Sequence, residues 1–205
     1  MVKDIKHCGC DIDNVSKRVL GLVGTGSQAL KRAKKIADTY QMKLLFYDPY
    51  HTYHTYHTYY PISIVDQHSH VEICANIFHV SANADIIWIN VPSSNETIGL
   101  INRQVLANIK YNVILVITSP LEVIDEEGLE EILEKGIPGG VMLLAGEKEY
   151  PGLRERYSRF SSVTLYRKLR ETKEEISKRM CEEAAASLCS FFGKMEKTEI
   201  TAENF

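Results

Sequence analysis

The chain has 205 residues, enough for one domain with a substantial core and short appendages. Its 24 basic and 27 acidic residues leave a net charge of −3, which argues against a general nucleic-acid binder or a membrane-surface protein. No apolar run approaches the roughly 20 residues of a membrane helix, Met1-Val2-Lys3-Asp4-Ile5-Lys6 lacks the pattern of a signal peptide, and five scattered cysteines (Cys8, Cys10, Cys74, Cys181, Cys189) read as reduced thiols of a cytoplasmic protein.

Residues 1–17 form a polar tail too short to be a domain. Cys8-Gly9-Cys10 beside His7 has no second ligand pair nearby, so the tail carries no expected metal site. The first strand is Val19–Val23, and the turn Gly24-Thr25-Gly26-Ser27-Gln28-Ala29 follows it. A helix then runs to about Tyr40. Strand, glycine turn and helix in that order suit a dinucleotide pyrophosphate: Gly24 permits the turn and Gly26 lets backbone N–H groups approach phosphate oxygens. Ala29 lets the helix pack close to the strand, and the helix N-terminus faces the anion with its positive dipole. A second strand, Lys43–Tyr47, ends at Asp48, 22 positions after Gly26, where an acid can take ribose hydroxyls.

The triplet His-Thr-Tyr then occurs three times over residues 51–59. In a polyproline II segment the three histidines would share one stripe and suit Zn or Ni. The favoured reading is an expanded surface loop with no metal, since loops tolerate insertion. Ile62–Val65 reads as a short strand, Val71–Ser81 as a helix, and Ile86–Val91 as a buried strand closed by Pro92. Asn102–Ile109 is a predicted helix and Val113–Ile117 a buried strand. Asp125–Lys135 is an acid-led helix stopped by Gly136, with Pro138 beyond. Val141–Leu144 and Val163–Tyr166 complete the strands, and Glu171–Gly193 reads as a long helix before a tail over 194–205. The alternation predicts an α/β domain over residues 18–170, a Rossmann-like doubly wound parallel sheet with right-handed crossovers. Its ligand site is expected beyond the carboxyl ends of the strands, where Gly24–Ser27, Asp48, Pro92 and Thr118–Pro120 share one crevice.

The segments Gly21–Gly26, Tyr47–Tyr50, Val91-Pro92 with Glu96–Asn102, and Val123–Leu129 together resemble the nucleotide-binding domain of D-isomer-specific 2-hydroxyacid dehydrogenases, over roughly residues 15–193. Within that superfamily, Leu45–Tyr50 and Glu182-Glu183-Ala184-Ala185 are most similar to the C-terminal-binding protein corepressors, which would allow a nuclear location and protein partners. The resemblance implies NAD held by Gly24, Gly26, Ser27, Gln28, Ala29, Asp48, Pro92, Thr97, Thr118, Ser119 and Pro120. Asp48 favours NAD because a 2′-phosphate would meet its negative charge. The resemblance also implies a homodimer with two-fold symmetry, for which Phe191 and Phe192 would want burial.

The family's chemistry uses an arginine to grip the substrate carboxylate and a histidine to pass a proton, with a glutamate to tune the histidine. Here Pro120 stands at the arginine's place and Arg167 at the histidine's, and an arginine cannot shuttle protons near neutral pH. Glu149 alone matches, as the acid, and Leu144 replaces the aspartate expected to meet the nicotinamide carboxamide. The resemblance further implies a substrate domain of on the order of a hundred residues before the glycine turn, where this chain has about seventeen. The expectation is an NAD-binding family member with impaired catalysis, acting as a sensor, scaffold or corepressor-like protein. The alternative is an active oxidoreductase on 2-hydroxy and 2-keto acids.

Overall fold

Continuous apolar runs such as Leu20-Gly21-Leu22-Val23, Ile86-Ile87-Trp88-Ile89 and Ile114-Leu115-Val116-Ile117 can be buried only if both faces of a strand are covered, and that condition shapes the fold. The computed structural model describes residues 18–50 and 70–167. In chain order these form β1 (Val19–Val23), α1 (Ser27–Thr39), β2 (Lys43–Tyr47), β3 (Val71–Ile73), α2 (Ile77–Asn83), β4 (Ile86–Ile89) and α3 (Arg103–Ala107). There follow β5 (Ile114–Ile117), a single 3₁₀ turn over Leu121–Val123, α4 (Glu126–Glu134), β6 (Gly140–Ala145), α5 (Tyr150–Tyr157) and β7 (Val163–Arg167). The seven strands make one sheet in the order β3-β2-β1-β4-β5-β6-β7, and every pairing is parallel. This is the doubly wound, Rossmann-like α/β architecture.

Alternate residues feed two cores. Leu20 and Leu22 of β1, with Leu44 and Phe46 of β2, pack on Ala29, Leu30, Ala33 and Ala37 of α1. On the other face, Val23, Leu45, Ile87, Leu115 and Val141 meet Val80 of α2, Val105 of α3 and Leu129 of α4. Burying one such aliphatic side chain contributes about 1.5–3 kcal/mol. The sheet is therefore a rigid base for whatever stands at its strand ends. Arg156 of α5 and Arg159 just beyond it clamp α4 from outside through Glu126, Glu130 and Glu134.

The structure corrects two expectations. Val71–Ser81 is not one helix: Val71-Glu72-Ile73 is a strand beside β2, and the helix waits until Ile77. Asn76 sets that start, its side chain accepting the His79 N–H at 3.0 Å as an N-cap. The helix expected over Asn102–Ile109 shortens to Arg103–Ala107, with Asn102 as its cap, accepting from Val105 N. The helix over Asp125–Lys135 spans Glu126–Glu134, with Asp125 and Lys135 as caps. The helix α5 had no counterpart in the sequence reading. The expected Ile62–Val65 strand, the His-Thr-Tyr repeat, the Glu171–Gly193 helix and both tails lie outside the described residues. Among the described residues, no helix is long and apolar enough to cross a membrane.

Candidate nucleotide site

The strand order reverses between β1 and β4: β2 and β3 lie on one side of β1, and β4 to β7 on the other. The loops leaving β1 and β4 diverge at that point, and a crevice of about 440 Å³ opens at the strands' carboxyl ends. It is lined by Gly24, Thr25 and Gly26 after β1, Asp48 and Tyr50 after β2, Asn90, Val91 and Pro92 after β4, and Thr118 and Pro120 after β5. Its volume falls in the range of small-molecule sites.

The two glycines have different tasks. Gly24 has φ +93°, and a Cβ there would sit 2.3 Å from the Asn90 carbonyl oxygen, so no other residue fits. Its N–H donates to Tyr47 O at 2.8 Å, which locks the turn to β2. A Cβ on Gly26 would meet nothing within 4 Å. The space beside it is open, and it lies at the start of α1, whose N-cap Gly26 offers no side chain to the first amides. No acidic residue occupies that first turn. The leading N–H groups of a helix have no partner within it, and this opening therefore has the features that let an anion be held by backbone. Ala29, nearly buried against β1, keeps the helix close.

Asp48 is 6% exposed. Its Oδ2 accepts both the Thr25 N–H and the Thr25 hydroxyl at 2.6 Å, and Oδ1 accepts the Tyr50 N–H at 2.9 Å. The acid that a ribose would use thus also ties the glycine turn to the end of β2. A carboxylate has about four lone-pair positions, so three bonds leave room for a ribose hydroxyl. Burial, and then the neighbouring Asp48 charge, hold the Tyr47 phenol above its ordinary range.

The opposite wall is held from behind. Ser119, 3% exposed, accepts the Val91 N–H at 2.8 Å. Thr97, fully buried, donates to Pro92 O at 2.6 Å and accepts Ser94 N–H at 2.8 Å. Thr118 accepts the Trp88 indole N–H and lies 3.0 Å from both Ile89 O and Asn90 Oδ1. Tyr50 reaches across the mouth, its hydroxyl 2.5 Å from Ser94 Oγ.

Of the residues expected at the nucleotide, Gly24, Gly26, Asp48, Pro92, Thr118 and Pro120 share the crevice wall. Ser27 and Gln28 begin α1, with Gln28 exposed, while Ala29, Thr97 and Ser119 stand one layer back as supports. Glu149 stands elsewhere, past β6 and exposed, with Oε2 accepting the Gly146 N–H at 3.0 Å. Arg167 ends β7, its guanidinium 5.9 Å from the Tyr150 ring centroid, and Leu144 lies half-buried in β6. Thr25, expected in the crevice as part of Gly24–Ser27, is on the wall, whereas Tyr50, Asn90 and Val91 were not anticipated there. Thr25 sits inside the glycine motif and Tyr50 two residues past Asp48, so position relative to the motif was the available signal. These residues fit NAD: open space beside the N-terminus of α1, a carboxylate on the crevice wall, and apolar Val91, Pro92 and Pro120 on the same wall.

A site of this design at the reversal point of a parallel sheet defines a nucleotide-binding α/β domain. Residues 3–166 match the family model of the D-isomer specific 2-hydroxyacid dehydrogenase, NAD binding domain, and the chain belongs to that family. Glyoxylate reductase of Thermofilum pendens is 27% identical over 187 residues, covering 91% of this chain and 52% of that one. D-3-phosphoglycerate dehydrogenase of Methanocaldococcus jannaschii is 30% identical over 143 residues, covering 70% of this chain and 25% of that one. The chain thus spans about half the first relative's length and about a quarter of the second's. The same fold occurs in the apo-structure of D-lactate dehydrogenase from Escherichia coli, with a TM-score of 0.62 and 22% identity, over 85% of this chain and 52% of that one. NAD is therefore the cofactor of this domain.

Proposed function

We propose that this chain binds NAD and does not itself reduce 2-keto acids, so that it serves as a nucleotide-responsive sensor or scaffold. The observation that carries the proposal is the composition of the crevice wall. Asp48 is its only charged residue, and no imidazole or guanidinium lines it among the described residues. A substrate carboxylate beside bound NAD would find no cation on this wall, among the described residues, to offset its charge. When bound, NAD supplies a hydride acceptor or donor. The protein's share of that chemistry would be a carboxylate grip and a proton donor, and Pro120 can provide neither, lacking both charge and a backbone N–H. Arg167 cannot donate a proton near neutral pH.

The chain's own residues support binding in full. The first amides of α1 receive the pyrophosphate, Asp48 takes the ribose hydroxyls, and Tyr50 with Pro92 flanks the opening. Asp48 favours NAD over its 2′-phosphorylated form. We also propose a homodimer, as the family resemblance implies. Light scattering that returned the 23.3 kDa of one chain at micromolar concentration would refute that part.

Oxamate, an isostere of pyruvate, tests the carboxylate grip without requiring turnover. Titrated calorimetrically into NADH-loaded protein, it is expected to release no heat at millimolar concentration. Saturable oxamate binding that depends on NADH and weakens in Arg167→Ala would establish a grip elsewhere. It would favour the second reading, an oxidoreductase acting on 2-hydroxy or 2-keto acids. That reading draws on the relatives' names and on Glu149.

A further inference from the structure

Away from the crevice, a glutamate, a cysteine and a histidine converge where β3 turns into α2. The ligand-capable atoms of Glu72, Cys74 and His79 all lie within 4.8 Å of one another. Each is delivered by a different local device. Glu72 is in register with Leu45 across the β2–β3 pair, Cys74 is pinned by its own N–H donating to Phe46 O at 2.8 Å, and His79 has its backbone fixed by the Asn76 cap. Cys74 is buried at 5% exposure and forms the floor, while Glu72 and His79 stand above it within reach of solvent.

We propose that Glu72, Cys74 and His79 form a binding site for a borderline-soft divalent cation, Zn²⁺ in particular, with a water in the fourth position. One sulfur, one imidazole nitrogen and one carboxylate oxygen match that ion, whereas Ca²⁺ and Mg²⁺ demand all-oxygen sets. Tetrahedral Zn²⁺ with bonds of about 2.0–2.3 Å needs its donors roughly 3.3–3.7 Å apart. The donors here lie within 4.8 Å of one another, so binding would need the wider pairs to close in by side-chain adjustment, while Glu72 Oε1 and His79 Nε2, now 3.0 Å apart, would open slightly. Lys43 Nζ holds Glu72 Oε2 at 2.6 Å, which leaves Oε1 as the single coordinating oxygen. Without a cation, burial keeps the Cys74 thiol protonated, up at about 12. Coordination would deprotonate it, releasing the proton to solvent.

Cys74 also belongs to the core beside Leu45 and Ile77, so its sulfur sits where core and surface meet. The cation gives the arrangement a purpose: β3 is a three-residue edge strand, and the ion would staple its end to α2. The site shares no residue with the crevice wall. It lies two strands from β1, about 10 Å away at the usual strand spacing, so it acts independently of NAD.

Cobalt(II) titration of the full chelator-treated chain is the test, because a thiolate–cobalt charge-transfer band reports a sulfur ligand, whereas histidines such as those of the 51–59 repeat give none. The expected result is a saturable band from one equivalent of cobalt, displaced by zinc, retained in the Cys8→Ser, Cys10→Ser double variant and lost in Cys74→Ser. His79→Ala, at an exposed position that leaves the fold intact, is expected to weaken cobalt binding at least about tenfold. A band that survives Cys74→Ser, a band unaffected by His79→Ala, or no band at millimolar cobalt would overturn the proposal.

Discussion

The carboxyl ends of β1 and β2 and the carboxyl ends of β6 and β7 lie on the same sheet and share its parallel direction, yet they are built differently. At β1 and β2 the polar groups are buried and paired: Thr25 is fully buried and Asp48 is 6% exposed. Two hydrogen bonds from Thr25 to Asp48, both at 2.6 Å, join their loops, and the Tyr50 N–H adds a third to Asp48 at 2.9 Å within the β2 loop. At β6 and β7, Glu149 is exposed and bonded only to its local turn, and Arg167 lies against Tyr150. One end is preorganised to hold a ligand, and the other holds groups that packing does not constrain. Under the proposed function, nucleotide recognition is coupled to the fold, whereas positions that serve only the reaction are not.

The comparison breaks most severely at Gly24. Gly24→Ala forces a Cβ to within 2.3 Å of Asn90 O at φ +93°. The strain alone costs about 1–3 kcal/mol, and the clash adds to it. Both thermal stability and NAD binding are expected to drop, in a melt and a calorimetric titration. Gly26→Val sharpens the contrast, since nothing lies within 4 Å of the new Cβ. The melting temperature should stay within a degree or two, while NAD affinity falls at least about a hundredfold because the side chain occupies the pyrophosphate's space. If Gly26→Val bound NAD normally, the anion site would be elsewhere.

Asp48→Asn comes next. An amide can present its oxygen to Thr25 or to Tyr50 N–H, and either choice leaves its NH₂ facing a donor. The expected cost is about 1–3 kcal/mol in chemical denaturation, together with a narrowed preference for NAD over NADP. The smallest effect belongs to the other end of the sheet. Among the described residues the buried Tyr157 hydroxyl has no hydrogen-bond partner, and burial pushes its phenol up to about 12 from 10.0. A raised folded value stabilises the neutral form, so stability is complete below pH 10 and declines as the pH rises toward 12. Tyr157→Phe should be neutral or slightly stabilising at pH 7 and should remove that alkaline loss in melts across the range. A clear destabilisation at pH 7 would mean the hydroxyl has a partner.

The strands and the glycine turn were legible in the sequence because their signals are local: unbroken apolar runs for β1, β2, β4, β5 and β6, and a φ-positive glycine after β1. Val71–Ser81 misled because Val71, Cys74, Ile77, Phe78 and Val80 also satisfy a helical spacing, and only Asn76 marks where the helix begins. α5 was hidden because just Leu153 and Tyr157 of its eight residues are buried, which leaves no apolar stripe to read. The supporting roles of Thr97 and Ser119 were out of reach for another reason. Ser119 acts on Val91, 28 residues earlier, through a contact that exists only once β4 and β5 are paired. The wall's lack of a cation could be suspected from Pro120, but its other residues had to be brought together by folding before the charge of the whole site was visible.

Nucleotide binding without keto-acid chemistry, as proposed for this chain, has two halves that one cuvette can test. NADH is titrated into the wild-type chain with fluorescence as the readout, glyoxylate is then added at saturation, and NADH absorbance is followed. The expected result is a saturable fluorescence change that Gly26→Val abolishes, and then an absorbance trace that stays on the protein-free baseline. Protein-dependent NADH consumption that Glu149→Gln eliminates would contradict it.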